Sequence, residues 1–191
     1  MINGLIQEYP KHICVANRNY EIDTDFRRWI GLHEALLDVD LTNNDKLMLI
    51  YELFVNEAPP VIYEKETLLK IGEFLKGNTY EAQSKKETKE DKRGKRVFSY
   101  TYDNEFIIGA FLECYRMDLV NIAYLHWYHF CALLHALNPN CELKQRIMYR
   151  SYDLSSIKDK HEQKRIKKIQ KAIELPQLKN ELSDEEIANI F

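Results

Sequence analysis

One stretch of the chain gathers side chains that bind metals or act as nucleophiles: His126, His129, Cys131, His135 and, further on, Cys141. His126 and His129 lie three residues apart, close enough in direction on a helix to share a metal. Zinc needs three or four converging ligands, as deprotonated Cys or neutral His. His135 overlaps that direction only in part, Cys131 points elsewhere, and no carboxylate completes a signature such as HExxH. A helix this aromatic holds its histidines by hydrogen bonds or at its edge, so neither a metal nor a cofactor is assigned.

Other chemistry has less to stand on. GxxxxGK[ST] and GxGxxG are absent, and six scattered glycines build no phosphate loop. No G-x-S-x-G elbow appears. Cys114 and Cys131 sit in apolar helical stretches, whereas a nucleophilic thiol needs a partly exposed, electropositive setting. Glu113 and Asp118 flank one turn, the usual look of a solvated face or a cap. No catalytic residue is assigned, and an enzyme is not expected.

The basic segment near 158–174 carries more. Lys158, Lys160, Lys164, Arg165, Lys167, Lys168 and Lys171 meet only Asp159, Glu162 and Glu174, with Ile157, Ile166, Ile169 and Ile173 as a thin apolar stripe. Phosphate backbones favour such a surface through counterion release. No aromatic alternates with the charges to stack bases, and no helix-turn-helix pattern precedes them. An acidic protein partner explains the segment equally well, and so does a solvated face. Lys164, Arg165, Lys167, Lys168 and Lys171 are the candidate partner-binding residues.

The elements that must position these groups are mainly helical. The 191 residues include 6 Gly and 5 Pro against 12 Tyr and 8 Phe, too few turn-formers for a many-stranded sandwich or barrel. Residues 12–22 read as a hairpin turning at Asn17-Arg18-Asn19. Asp23 or Thr24 caps a helix bearing Phe26, Trp29, Ile30, His33, Leu36 and Leu37. Thr42 or Asn43 opens a second helix, with Leu47, Ile50, Tyr51 and Phe54, closed by Pro59-Pro60. A third, from about 63 to 76, buries Leu68, Leu69, Phe74 and Leu75 and stops at Gly77-Asn78.

Asp103 caps a helix with Phe106, Ile107, Ala110, Phe111, Cys114 and Tyr115. Residues 119–137, apolar nearly all round, read as the central buried helix. A short helix near 142–150 and the basic helix follow. Segment 78–96 has hardly a large apolar residue and reads as a mobile charged linker.

The expected fold is thus a helical bundle with a small N-terminal hairpin. Its parts are 1–77, the linker 78–96, an aromatic core with the basic helix over 97–176, and a tail with a short helix over 177–191. One compact domain overall is compatible with this division.

Charge and compartment add little. There are 27 Lys+Arg against 30 Asp+Glu, a net charge of −3, so bulk charge names no partner. It conceals an acidic N-terminal region and a basic later one, a basis for self-association or for docking a partner. The N-terminus lacks a secretory pattern, no run reaches the ~18–20 apolar residues of a membrane span, and Cys14, Cys114, Cys131 and Cys141 form no CxxC pair. A reduced, cytoplasmic location is expected.

The run Leu125-His126-Trp127-Tyr128-His129-Phe130-Cys131-Ala132-Leu133-Leu134, then Tyr149-Arg150-Ser151-Tyr152-Asp153-Leu154 and Lys158-Asp159, resembles the signature of the bacteriophage gp-fifteen family. Ile22-Asp23-Thr24-Asp25-Phe26-Arg27, Phe98-Ser99-Tyr100 with Asp103, Phe111 with Tyr115, and Leu175-Pro176 extend the resemblance over residues 5 to 176. Tyr128 stands where members often carry a second Trp. That family comes from tail-gene neighbourhoods of siphophages and prophages in Gram-positive bacteria, between the genes for the tail tube and the tape measure.

The resemblance implies a tail morphogenesis protein of the host cytoplasm. It also implies a tail assembly chaperone that coats the apolar, helical tape measure protein until tail tube subunits replace it. The alternatives are a structural component of the virion tail, and a small nucleic-acid-binding or regulatory phage protein using 157–171. The resemblance carries over no set of functional residues.

Overall fold

The computed structural model describes residues 7–77 and 96–176. Of the expected linker over 78–96 all but Arg96 lies outside them, as does the tail over 177–191. The fold is mainly α: seven α-helices and one two-stranded antiparallel hairpin among the described residues. These residues group into two compact units, 7–77 with 123–132, and 96–122 with 133–176.

In the first unit β1 (His12–Val15) pairs with β2 (Arg18–Glu21), Ile13 opposite Tyr20 and Val15 opposite Arg18. The turn is Ala16-Asn17, not 17–19. Both residues have positive φ (49° and 59°), the twist a two-residue hairpin turn requires. Alternation buries Ile13, Val15, Tyr20 and Ile22. The far side of β2 is paired as well: the Val55 N–H donates to the Glu21 carbonyl (3.1 Å) and the Asp23 N–H to that of Leu53 (2.7 Å). Phe54, read above as helical, bridges Ile22 instead.

Helix α1 (Phe26–Leu37) is capped one residue later than expected. Asp25 accepts from the Arg27 N–H, while the Asp23 carboxylate accepts from the Asp25 N–H. Phe26, Trp29, Leu32 and Leu36 form its buried face. Helix α2 (Asn43–Tyr51) starts at Thr42 with a reciprocal capping box to Asp45. Buried Lys46 donates to the Leu36 carbonyl (3.0 Å), setting a cation on the negative end of α1.

Helix α3 (Glu64–Leu75) follows a 3-10 turn at Val61–Tyr63. It buries Thr67, Ile71 and Phe74, while Leu68 and Leu75 are half-buried and Leu69 is exposed. The expected buried set was rotated because the apolar pair Leu68-Leu69 spans the edge of the helix face. Gly77, at φ 68°, provides the expected stop.

The largest correction concerns 119–137. Only Trp127–His135 is helical (α5), and His129 and His135 are exposed on it. Ahead of it 119–121 form a turn, and the backbone next to α5 is used elsewhere: the Phe26 N–H donates to the Leu125 carbonyl (2.9 Å) and the Trp127 N–H to the Thr24 carbonyl (2.8 Å). Trp29 lies 4.5 Å from Phe74 and Phe26 lies 4.8 Å from Phe130, centroid to centroid. The Trp127 indole donates to the Leu75 carbonyl.

In the second unit α4 (Asn104–Tyr115) ends at Arg116, which adopts the left-handed conformation (φ 54°). Asp118 then accepts from the Val120 and Asn121 N–H groups, a local turn that competes with helix continuation. Helix α6 (Glu142–Ser151) packs against α4 and α7 (Lys160–Ala172).

Asp103 precedes α4, but its side chain is not a cap. It is fully buried and binds Arg150 of α6 through two bonds of 2.8 and 2.9 Å. Arg150 also donates to the carbonyls of Val97 (3.1 Å) and Ile173 (2.7 Å), tying both chain segments to α6.

Candidate functional site

Helix α7 begins where Asp159 accepts from the His161 N–H. Ile166 and Gln170 are buried against α6, and the Gln170 amide donates to the carbonyls of Tyr149 and Tyr152. The isoleucines therefore serve packing: Ile166 is buried, and Ile157, Ile169 and Ile173 are half-buried.

All five candidate residues, Lys164, Arg165, Lys167, Lys168 and Lys171, are exposed. Arg165 is set apart from the others. It forms two bonds to Glu162 (2.9 and 2.8 Å), which raise its pKa and lower that of Glu162. At about 100° per residue, Lys160, Lys164, Lys167, Lys168 and Lys171 share an arc of roughly 100°, whose centre lies about 150° round the helix from Ile166. They span about 17 Å of helix. None of the five amines pairs with a carboxylate among the described residues. The structure thus brings four of the candidates, with Lys160, into one uncompensated stripe and removes Arg165 from it.

The histidine and cysteine group is arranged otherwise. His126 is buried, and both ring nitrogens are used. Nδ1 accepts from the Tyr128 N–H (3.0 Å), so the ring proton lies on Nε2, which donates to the Pro10 carbonyl (3.0 Å). Burial lowers its pKa and keeps the ring neutral. Tyr9 stacks on it at 5.0 Å. Burial pushes the Cys131 thiol up to about 12 and the Tyr128 hydroxyl likewise to about 12. The described residues contain no group of three His, Cys, Asp or Glu that converges as a metal site.

A second surface was not read from the sequence. On the 3-10 turn before α3, Val61 is 72% and Ile62 85% exposed, with exposed Tyr63 beside them and exposed Leu69 further along α3. These side chains lie at the surface and not in a core. The one sequence signal was Pro59-Pro60, which ends the preceding segment and places Val61 and Ile62 at the exposed start of the next helical turn.

Helices packed through small apolar faces, with an uncompensated lysine stripe and an open aliphatic turn, make up a mainly α-helical protein. The chain belongs to the family described as Bacteriophage Gp15 protein, whose model matches residues 5–175. It is accordingly a phage structural or morphogenesis protein. No curated protein and no solved structure matches it. No helix among the described residues is long and apolar enough to cross a membrane.

Proposed function

We propose that this protein is a tail assembly chaperone, acting in the host cytoplasm, that holds the tape measure protein before the tube polymerises around it. Membership of the family supports the morphogenesis setting. The observation that carries the chaperone reading is the open Val61-Ile62-Tyr63 turn. A long helical client with apolar faces needs a partner offering apolar contact that is small enough to release. Burying two aliphatic side chains contributes about 3–6 kcal/mol before the costs of association, enough for reversible binding in repeated copies.

The test is co-expression with the tape measure protein. The wild-type chain co-purifies with it and is absent from finished particles, and Val61→Asp with Ile62→Asp abolishes co-purification while the helical circular dichroism is retained. Stoichiometric presence in purified virions would replace this reading with a structural one.

A further inference from the structure

Uncompensated charge is divided between the two units. Among the described residues the first unit holds thirteen Asp+Glu to eight Lys+Arg, and the second twelve Lys+Arg to nine Asp+Glu. In the first unit Arg18, Arg27, Arg28 and Lys70 each sit against a carboxylate. The corner between α1 and α2 gathers carboxylates that no such cation meets. Exposed Asp38, Asp40 and Asp45 lie within eight residues there. Asp38 accepts from the Asp40 N–H, and Asp45 holds the Thr42 cap. No Lys or Arg among the described residues pairs with any of the three. The nearest cation in sequence, Lys46, is buried on the Leu36 carbonyl.

We propose that the lysine stripe of α7 in one copy docks on the Asp38–Asp40–Asp45 corner of a second copy. The stripe is lysine only, with Arg165 engaged by Glu162, so it offers mobile point charges rather than planar forks. Point charges of this kind suit a cluster of separate surface carboxylates such as Asp38, Asp40 and Asp45. Nucleic acid is the weaker fit, because the whole chain carries net −3 and no aromatic flanks the stripe to stack on a base. A stripe meeting a different surface on the next molecule is a heterologous contact. Two copies that exchange such contacts about a two-fold axis close into a dimer, and otherwise copies add in rings or chains. This contact is independent of the tape measure reading, because it needs no client.

Sedimentation or light scattering of the full chain alone provides the test. At ~0.01 M salt, where the Debye length is about 30 Å, the mass rises with concentration to multiples of the 22.8 kDa protomer. At ~1 M salt, with a Debye length of about 3 Å, it returns to one protomer. Two charge-reversed chains decide the interface. One carries Lys164→Glu, Lys167→Glu, Lys168→Glu and Lys171→Glu; the other carries Asp38→Lys and Asp40→Lys, leaving Asp45 to cap α2. Each is a monomer alone at low salt, with unchanged helical circular dichroism and melting, and an equimolar mixture assembles again. A wild-type chain that stays monomeric at low salt, or a mixture that does not assemble, overturns the proposal. So does stripe-dependent, salt-sensitive binding of duplex DNA by a monomeric chain, which would give the stripe to phosphate backbones instead.

Discussion

Replacing Arg150 by Ala removes the partner of a fully buried carboxylate. Asp103 is 0% and Arg150 4% exposed, so neither charge has water to fall back on. Their two bonds, at 2.8 and 2.9 Å, satisfy the carboxylate, and two further bonds satisfy the carbonyls of Val97 and Ile173. At an effective dielectric constant of ~20, two unit charges about 4 Å apart attract by roughly 4 kcal/mol. Removing one partner of such a pair costs about 3–5 kcal/mol, mostly through the charge left stranded. That is a large share of the roughly 5–15 kcal/mol that holds a domain folded.

Urea titration followed by circular dichroism reads the loss. The double replacement Asp103→Asn with Arg150→Met costs less than Arg150→Ala, because no bare charge remains. Since the pair is buried, the loss is nearly the same at ~0.1 and ~1 M salt. A loss below about 1 kcal/mol, or one that vanishes at high salt, would refute the reasoning.

Two further predictions concern the first unit. Burial lowers the pKa of His126 below its unfolded value, so the unfolded chain binds the extra proton first. Stability is therefore fully present above the unfolded pKa of about 6.5 and falls with acid toward the folded pKa, with a slope of at most ~1.4 kcal/mol per pH unit. His126→Gln flattens this part of the profile, and an unchanged profile by denaturant titration from pH 7.5 to ~5 would contradict it. Ala16→Gly stabilises the hairpin by up to ~1 kcal/mol, since a residue with a Cβ sits at φ 49°, and thermal melting registers the gain. A lower melting temperature would show that the freedom glycine gains in the unfolded chain outweighs the relieved strain.

Local signals marked much of this molecule in advance. Thr42 marked the start of α2, Gly77 the end of α3, and the spacing of Phe26, Trp29 and Leu36 the buried face of α1. The family, too, was readable from the order and spacing of motifs along the chain. All of these depend on neighbours within a few turns, where residue type and period carry the information. The candidate lysines were readable as a basic helix for the same reason.

What the tertiary structure decided depends on partners far away in sequence. Residues 119–126 are apolar enough for a helix, yet Leu125 and Trp127 give their backbone groups to Phe26 and Thr24, about 100 residues earlier. Asp103 has the form of a cap, but its partner is Arg150, 47 residues on. Which of the basic residues keeps an unspent charge was settled by side-chain geometry, with Arg165 bound to Glu162 and Lys164, Lys167, Lys168 and Lys171 left open. By itself the sequence determined the mainly helical fold, the place of most helices outside 119–137, and the family. Only the fold decided which polar groups were already satisfied, because a hydrogen bond or ion pair is spent by whatever the rest of the chain brings within reach.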